Sequence, residues 1–546
     1  MQRRRFDGVV QGGDSVSTDG MMVDGAVPGM DIRQGGLGTR TQVLALSTLC
    51  VILFLTFLDN TVVSVGLANV QSSLHAGITS LQWVVNGYAL TFAAFMLAGG
   101  TLGDMLGRKT IMLAGVGVFC AGSVVAALAT NVDWLIAGRV IMGLGAAASE
   151  PGTLSVIRHV YPDKGTRADA LGVWAAVSGV ALALGPVVGG VLVGLWSWRA
   201  IFWFNLFIGA VAFALALAFV PETSDPDGRH IDVAGIVLGA LALASASFAV
   251  IQGEESGYGT WWIMLLFGAF FVLGAAFVMV ERRKEHPILD MALFRRAPFS
   301  VSLYLAFAAY FGTFSIFFFT ALYLQVVANA TAYATAVDFI PMAAGLIIAS
   351  ALTGPWVARR GPRVPMIVGT LLAAGGVFAT SQVLSPHVTF SSLGWALPLA
   401  GIGFGIILVP VTSTPLTVVR PERSGMAASA TNTSRELGAV FGVAILGALV
   451  NAQLTGQLAA RLRALGIPPN IQGLVLHLIT GGGLGSGASS EAAHAGKIGD
   501  KILGAAYNAF GSGLHLALHI SAALLLSGAV VTVLTLHRDR GERYEL

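Results

Sequence analysis

Leu184-Gly185-Pro186-Val187-Val188-Gly189-Gly190 lies inside an almost uncharged apolar stretch, residues 168–193. In a soluble helix the proline would cost ~3 kcal/mol and each glycine ~1 kcal/mol. In a membrane span both are tolerated. Neighbouring helices can satisfy the carbonyl that the proline frees, and small residues let two backbones approach closely. The stretch therefore reads as a contact where one membrane helix bends, slides or seals against another, as a transporter requires.

The rest of the chain agrees with a membrane setting. Its 546 residues are 55% hydrophobic and 11% charged, with a mean hydropathy of +0.78. Soluble domains carry about 25% charged residues. The net charge of +3 says less than its distribution does. Cys50 and Cys120, the two cysteines, both fall in apolar stretches and read as buried thiols, with no disulfide framework or metal site. Residues 1–40 are rich in Gly, Asp and Met, show no apolar run of signal-peptide length, and read as a disordered cytoplasmic tail; Met21, Met22 and Met30 are alternative starts.

Crossing a bilayer takes ~20 apolar residues in a helix. Fourteen such spans are expected: 44–67, 83–102, 110–129, 134–157, 168–193, 200–220, 231–252, 261–281, 300–326, 335–358, 364–384, 392–416, 427–450 and 512–536. With the N-terminus inside, the inner segments hold 24 of the 31 Lys and Arg, the outer ones 5, and Arg139 and Arg435 lie within spans. That bias predicts cytoplasmic N- and C-termini in a multi-pass protein of the cell membrane. Two halves are expected, a six-helix bundle over 41–222 and another over 286–546, with two inserted helices over 223–285. The second half would carry a long extracytoplasmic connection, 451–511, containing a flexible 481–490 run.

Charge inside a span is expensive, ~2.5–3.5 kcal/mol even on insertion scales, so each such residue needs a cavity or a partner. Asp59 lies about two-thirds of the way along the first span. It reads as a carboxylate that binds a proton or a cationic substrate, or as a structural group bonded to Asn60 or Thr61. Arg139 enters span 4 at similar depth. Glu150 follows it by eleven residues, three turns or ~16 Å further along one face. Glu150 could hold a basic drug, serve as a second proton site, or snorkel toward Arg158. Arg435 and Glu436 are adjacent and so do not share a helix face, which leaves cavity function and structural pairing both open. Gln325 is a weaker candidate for substrate contact, and Asn60 and Asn432 border the same charges. His515 and His519, at i and i+4, are too few for a metal and read as packing or interfacial histidines.

Several motifs together resemble the major facilitator superfamily, in its fourteen-span drug:proton antiporter branch of EmrB/QacA type. Gly100-Thr101-Leu102-Gly103-Asp104-Met105-Leu106-Gly107-Arg108-Lys109 is similar to the loop signature G-x-L-a-D-r-x-G-r-k, with Met105 for the usual arginine. Arg139 to Gly143 resembles R-x-x-q-G, with Met142 for the glutamine. Gly185-Pro186-Val187-Val188-Gly189-Gly190 resembles the exporters' G-P-x-x-G-G, and Leu58-Asp59-Asn60-Thr61-Val62-Val63 the branch's L-D-x-T-v-v. Trp198-Arg199-Ala200-Ile201-Phe202-Trp203-Phe204-Asn205 is similar to W-R-W-i-F-x-i-N. Asn432-Thr433-Ser434-Arg435-Glu436-Leu437-Gly438 is similar to N-x-x-R-q-l-G, with Glu436 for the glutamine, and Glu150 stands where the branch has an apolar residue.

The resemblance implies an all-α integral membrane protein of major facilitator fold, two six-helix bundles plus two additional helices. Spans 1 and 4 would line one cavity, so Arg139 would be the electrostatic partner of Asp59 in proton coupling. Gly100, Asp104, Gly107, Arg108 and Lys109 would form a cytoplasmic gate; Gly185, Pro186, Gly189 and Gly190 would seal the outer end during export. The expected activity is exchange of amphipathic drug-like molecules for protons, conferring resistance. A same-fold symporter, an exporter of a dedicated endogenous metabolite and, more distantly, a channel are the alternatives. No nucleotide-binding G-x-x-x-x-G-K-[ST] loop or nucleophile cluster is evident. The protein is therefore expected to be no enzyme, to need no cofactor or metal, to bind no nucleic acid, and to work as a monomer in the lipid bilayer.

Overall fold

A computed structural model describes residues 39–223, 232–284, 289–385, 390–419, 424–464, 472 and 496–536. The expected tail up to residue 38, part of the link after span 6 (224–229) and the 481–490 run lie outside the described residues. So does the Asp104 side chain.

Among the described residues the chain is all-helical. In order the helices are α1 (Thr39–Val62), α2 (Leu67–Leu74), α3 (Ile78–Leu106), α4 (Arg108–Ala127), α5 (Val132–Ser149), α6 (Pro151–Val160), α7 (Lys164–Leu195) and α8 (Arg199–Phe219). Then follow α9 (Val233–Ser256), α10 (Trp261–Arg283), α11 (Ala297–Ser315), α12 (Ala321–Val326), α13 (Ala332–Arg360), α14 (Arg363–Val383), α15 (Phe390–Val418), α16 (Ser424–Ala464) and α17 (Gly496–Thr535). Thirteen described stretches are long and apolar enough to cross a membrane, and α3, with 29 residues, is a further long helix. Short irregularities divide single spans. A 3₁₀ turn at Val63–Gly66 joins α1 to α2, and a π-helical turn at Ile316–Thr320 joins α11 to α12. Pro151, which has no N–H to give, starts α6 directly behind α5.

Helix ends are capped where the backbone would otherwise be bare. Asn131 accepts from Trp134 N–H at 3.0 Å, and Thr331 from Ala334 N–H at 3.1 Å. At the α3–α4 turn Gly107 adopts φ +106°, a conformation costly for any other residue. There the cap comes from far along the chain. The Glu222 carboxylate accepts from Lys109 N–H at 3.1 Å and Thr110 Oγ1 at 2.8 Å, at the positive end of α4.

Packing divides the helices into two sets. α1, α3, α4, α5, α7 and α8 pack among themselves, as do α11, α13, α14, α15, α16 and α17; α3 against α16 and α7 against α13 join the sets. α9 lies over the α3–α16 seam and α10 lies on α9. Only 6% of the apolar window of α10 is buried, against 94% for the α11–α12 span. α10 therefore faces lipid, and α11 is central.

Two expectations need correction. The connection placed at 451–511 is helical over much of its length: α16 continues to Ala464 and α17 already begins at Gly496. Asn451, Gln453 and Gln457 lower its hydropathy, but Leu454, Leu458 and Leu462 form a buried stripe at four-residue spacing that holds the extension on α17. A Cβ at Gly513 would lie 3.0 Å from Val450 O, which fixes the antiparallel register of the two helices. Cys50 and Cys120 are half-buried rather than buried, and both are free thiols.

Candidate functional site: charges paired across helices

Pro186 is the key to one wall of the site. Lacking an N–H, it leaves the Leu182 carbonyl, four residues earlier on α7, without a helical partner. Thr61 Oγ1, on α1, donates to that carbonyl at 2.9 Å. Gly185 lets the two helices approach: a Cβ there would lie 2.9 Å from Thr61 Cβ and 3.0 Å from Val62 N. Gly189 faces Val62 as well, whereas Gly190 faces the other way, where a Cβ would lie 2.6 Å from Ala332 O on α13. The element thus clamps α7 to α1 within one helix set and to α13 of the other. Thr61→Val, which keeps the shape and removes the donor, strands a buried carbonyl; a loss of about 1–3 kcal/mol is expected. Thermal unfolding in detergent should report it as a lowered Tm, and Thr61→Ser should recover most of the loss.

Beside this wall lies a buried charge cluster. Asp59 Oδ2 accepts from Arg139 Nη1, and Asp59 Oδ1 accepts from Asn205 Nδ2 at 2.6 Å. Arg139 also donates from Nε to Val84 O at 2.8 Å and lies 4.5 Å above the Tyr88 ring centre. Asp59, Arg139 and Asn205 are each 0% exposed, so α1, α5 and α8 meet at one desolvated ion pair. Asp59 is therefore bonded neither to Asn60 nor to Thr61, whose side chains are engaged elsewhere.

The remaining charges sit at the junction between the sets. Asn60 Nδ2 donates to Glu436 Oε1 at 3.2 Å, joining α1 to α16. Asn432 Nδ2 donates to Glu150 Oε1 at 3.3 Å, joining α16 to the α5–α6 break. Glu150 is 1% exposed, which overturns the snorkelling alternative. Arg435 donates to Asn432 Oδ1 at 3.1 Å and to Thr412 Oγ1, and lies 5.5 Å from the Tyr310 ring centre. Arg435 and Glu436 thus take different partners, as neighbours on different faces must. Gln325 Nε2 donates to Val65 O at 2.8 Å, a bond between the sets on the same side as the Gly190 contact.

The other candidates have structural surroundings. Gly100 approaches Pro151, and Arg108 N–H donates to Thr223 O at 2.8 Å. Lys109 Nζ donates to Leu217 O at 2.8 Å. His515 lies 3.1 Å from Ser381 Oγ, and His519 lies 3.0 Å from Gln382 Nε2. Among the described residues no three His, Cys, Asp or Glu side chains are placed to hold a metal.

Sequence reasoning missed Asn205 as the second holder of Asp59, although it closes the quoted Trp198–Asn205 motif. It also missed Tyr88, Thr412 and Glu222, whose partners are remote in sequence. Asp338, half-buried on α13, is a further acid within a span.

Thirteen to fourteen long apolar helices in two packed sets, with buried polar side chains bonded between them, define a polytopic membrane transporter. The chain matches the Major Facilitator Superfamily over residues 49–443 and belongs to it. Its function is the transport of small organic solutes across a membrane. It is 33% identical over 437 residues to the multidrug resistance protein Stp of Mycobacterium tuberculosis, covering 80% of this chain and 81% of that one. It is 30% identical over 503 residues to the multidrug efflux pump LfrA of Mycolicibacterium smegmatis, covering 92% and 98%. A bacterial homologue of the human lysosomal transporter Spinster, inward-facing and occupied, shares the fold with a TM-score of 0.63 at 19% identity, over 93% of this chain and 100% of that one.

Proposed function

We propose that this protein is a proton-coupled exporter of amphipathic small molecules, of the fourteen-span drug:proton antiporter branch. The observation that carries the proposal is the desolvated Asp59–Arg139 pair, steadied by Asn205. A carboxylate held by one arginine and one amide can release its arginine on taking a proton. The two protonation states then favour different arrangements of α1, α5 and α8. Similarity to a protein named as an efflux pump supports export as the direction.

In this proposal residues 41–222 and 286–546 are two bundles that rock about the seam, and 223–285 is an insert between them. The Lys/Arg bias supports cytoplasmic termini, and in that orientation Gly190 on Ala332 and Gln325 on Val65 close the outer end. The α3–α4 turn, with Gly100, Asp104, Gly107, Arg108 and Lys109, is the inner gate. Glu222 is added to it as the residue that anchors α4.

The test is substrate flux in proteoliposomes, with ethidium and the neutral probe chloramphenicol. An antiporter concentrates a substrate inside vesicles whose lumen is acidic, because protons leave as substrate enters. Accumulation driven by an alkaline lumen instead would establish the symporter, and flux indifferent to ΔpH would establish a channel.

A further inference from the structure

Glu150 and Glu436 stand where the resembling motifs have an apolar residue and a glutamine, and the fold brings them to one place. Asn432 and Glu436 are four residues apart on α16, so they share a face about 6 Å apart along the axis. Asn432 reaches Glu150 and Glu436 is reached by Asn60, so each carboxylate is strapped to an amide of the opposite helix set. The second oxygen of each, Glu150 Oε2 and Glu436 Oε2, is buried and has no hydrogen-bond partner; the same holds for Asn60 Oδ1 and Arg435 Nε. The four residues are 1–4% exposed. Buried polar atoms in such number, around one point, call for a further group to satisfy them.

Charge identifies that group. Around this centre three carboxylates, Asp59 on α1, Glu150 at the end of α5 and Glu436 on α16, face two guanidiniums, Arg139 on α5 and Arg435 on α16. Tyr88 on α3 and Tyr310 on α11 complete the titratable set. Asp59 and Arg139 neutralise each other directly. Arg435 is held by Asn432 and Thr412 and offers one positive charge against two carboxylates. One negative charge is left over, and two nearby carboxylates in this setting hold either a shared proton or a positive group from outside. The Tyr88 and Tyr310 faces are already covered by Arg139 and Arg435, so charge rather than cation–π stacking would do the recognising.

We propose that Glu150 and Glu436 form an inter-bundle site for one positive charge, taking the ammonium or quaternary ammonium group of a monocationic substrate in exchange for one proton. This rests on the export reading and names the substrate class. Purified protein, titrated with ethidium in weakly buffered solution, should release one proton per dye bound. Its affinity should fall up to tenfold per pH unit on acidification. Glu150→Gln and Glu436→Gln, close in shape to wild type, should each abolish proton release and weaken ethidium at least tenfold. Where one of them unfolds in detergent, the other carries the comparison. Unchanged ethidium affinity and proton release in a folded variant would overturn the site. So would wild-type protein that binds neither ethidium nor tetraphenylphosphonium. Loss of ΔpH-driven flux for every probe in wild type defeats the export reading; intact coupled ethidium flux in both variants defeats this inference alone.

Discussion

Asp59→Asn is expected to abolish ΔpH-driven accumulation of the neutral probe chloramphenicol, by at least an order of magnitude, while leaving its counterflow in the absence of a gradient within a few-fold of wild type. The asymmetry follows from what is removed. Asparagine keeps the shape and one acceptor oxygen for Arg139 and Asn205, but it cannot alternate between charged and neutral. The substituted carrier is therefore fixed near its protonated arrangement and can exchange a neutral substrate without moving a proton. Stability falls as well. Taking one partner from a buried ion pair costs about 3–5 kcal/mol, reduced here because Arg139 keeps Val84 O and the Tyr88 face. Thermal unfolding must therefore be measured alongside, and Asp59→Glu should restore part of the gradient dependence. Proton flux coupled to chloramphenicol that survives Asp59→Asn would remove Asp59 from the mechanism.

Gly190→Val should be nearly as damaging, for a steric reason. A side chain there meets Ala332 O and Ala336 on α13, backbone and methyl groups that cannot rotate away. Overpacking of this kind costs about 1–3 kcal/mol. Charged against only the arrangement in which α7 and α13 touch, that strain shifts its population roughly 5- to 150-fold. The expected result is export below about a tenth of wild type in a protein that still folds. Gly172→Val on the same helix is the control, because nothing lies within 4 Å of a Cβ there. In a chain whose Cys50 and Cys120 are serine, Val65→Cys should resist an impermeant thiol reagent and become reactive once Gly190→Val is added. A cysteine at 65 that stays protected would contradict the seal.

Much of this was legible in the sequence because membrane spans announce themselves by length and hydropathy. The departures that mattered most were visible too: Glu150 and Glu436 stood out as acids where the motifs lack them. Their straps were not visible. Asn60 and Glu436 lie 376 residues apart, Asn432 and Glu150 282 apart, and no local pattern predicts which amide reaches which acid. Glu222 was hidden for the same reason, since a cap is sought beside its helix and not 113 residues later. The helical extension beyond residue 450 failed differently. A hydropathy criterion stops at polar residues, whereas the Leu454–Leu458–Leu462 stripe obeys the period of a helix packed on a single neighbour.

That extension has a practical bearing. α16 has 41 residues, about 62 Å at 1.5 Å per residue, roughly twice a ~30 Å hydrocarbon core. With α17, of 40 residues, packed beside it, the pair forms a two-helix post longer than that core is thick. A binder raised against Arg461 and Lys501 would grip a rigid, asymmetric landmark, enough to align single-particle images and to tell the pseudo-equivalent bundles apart while they move.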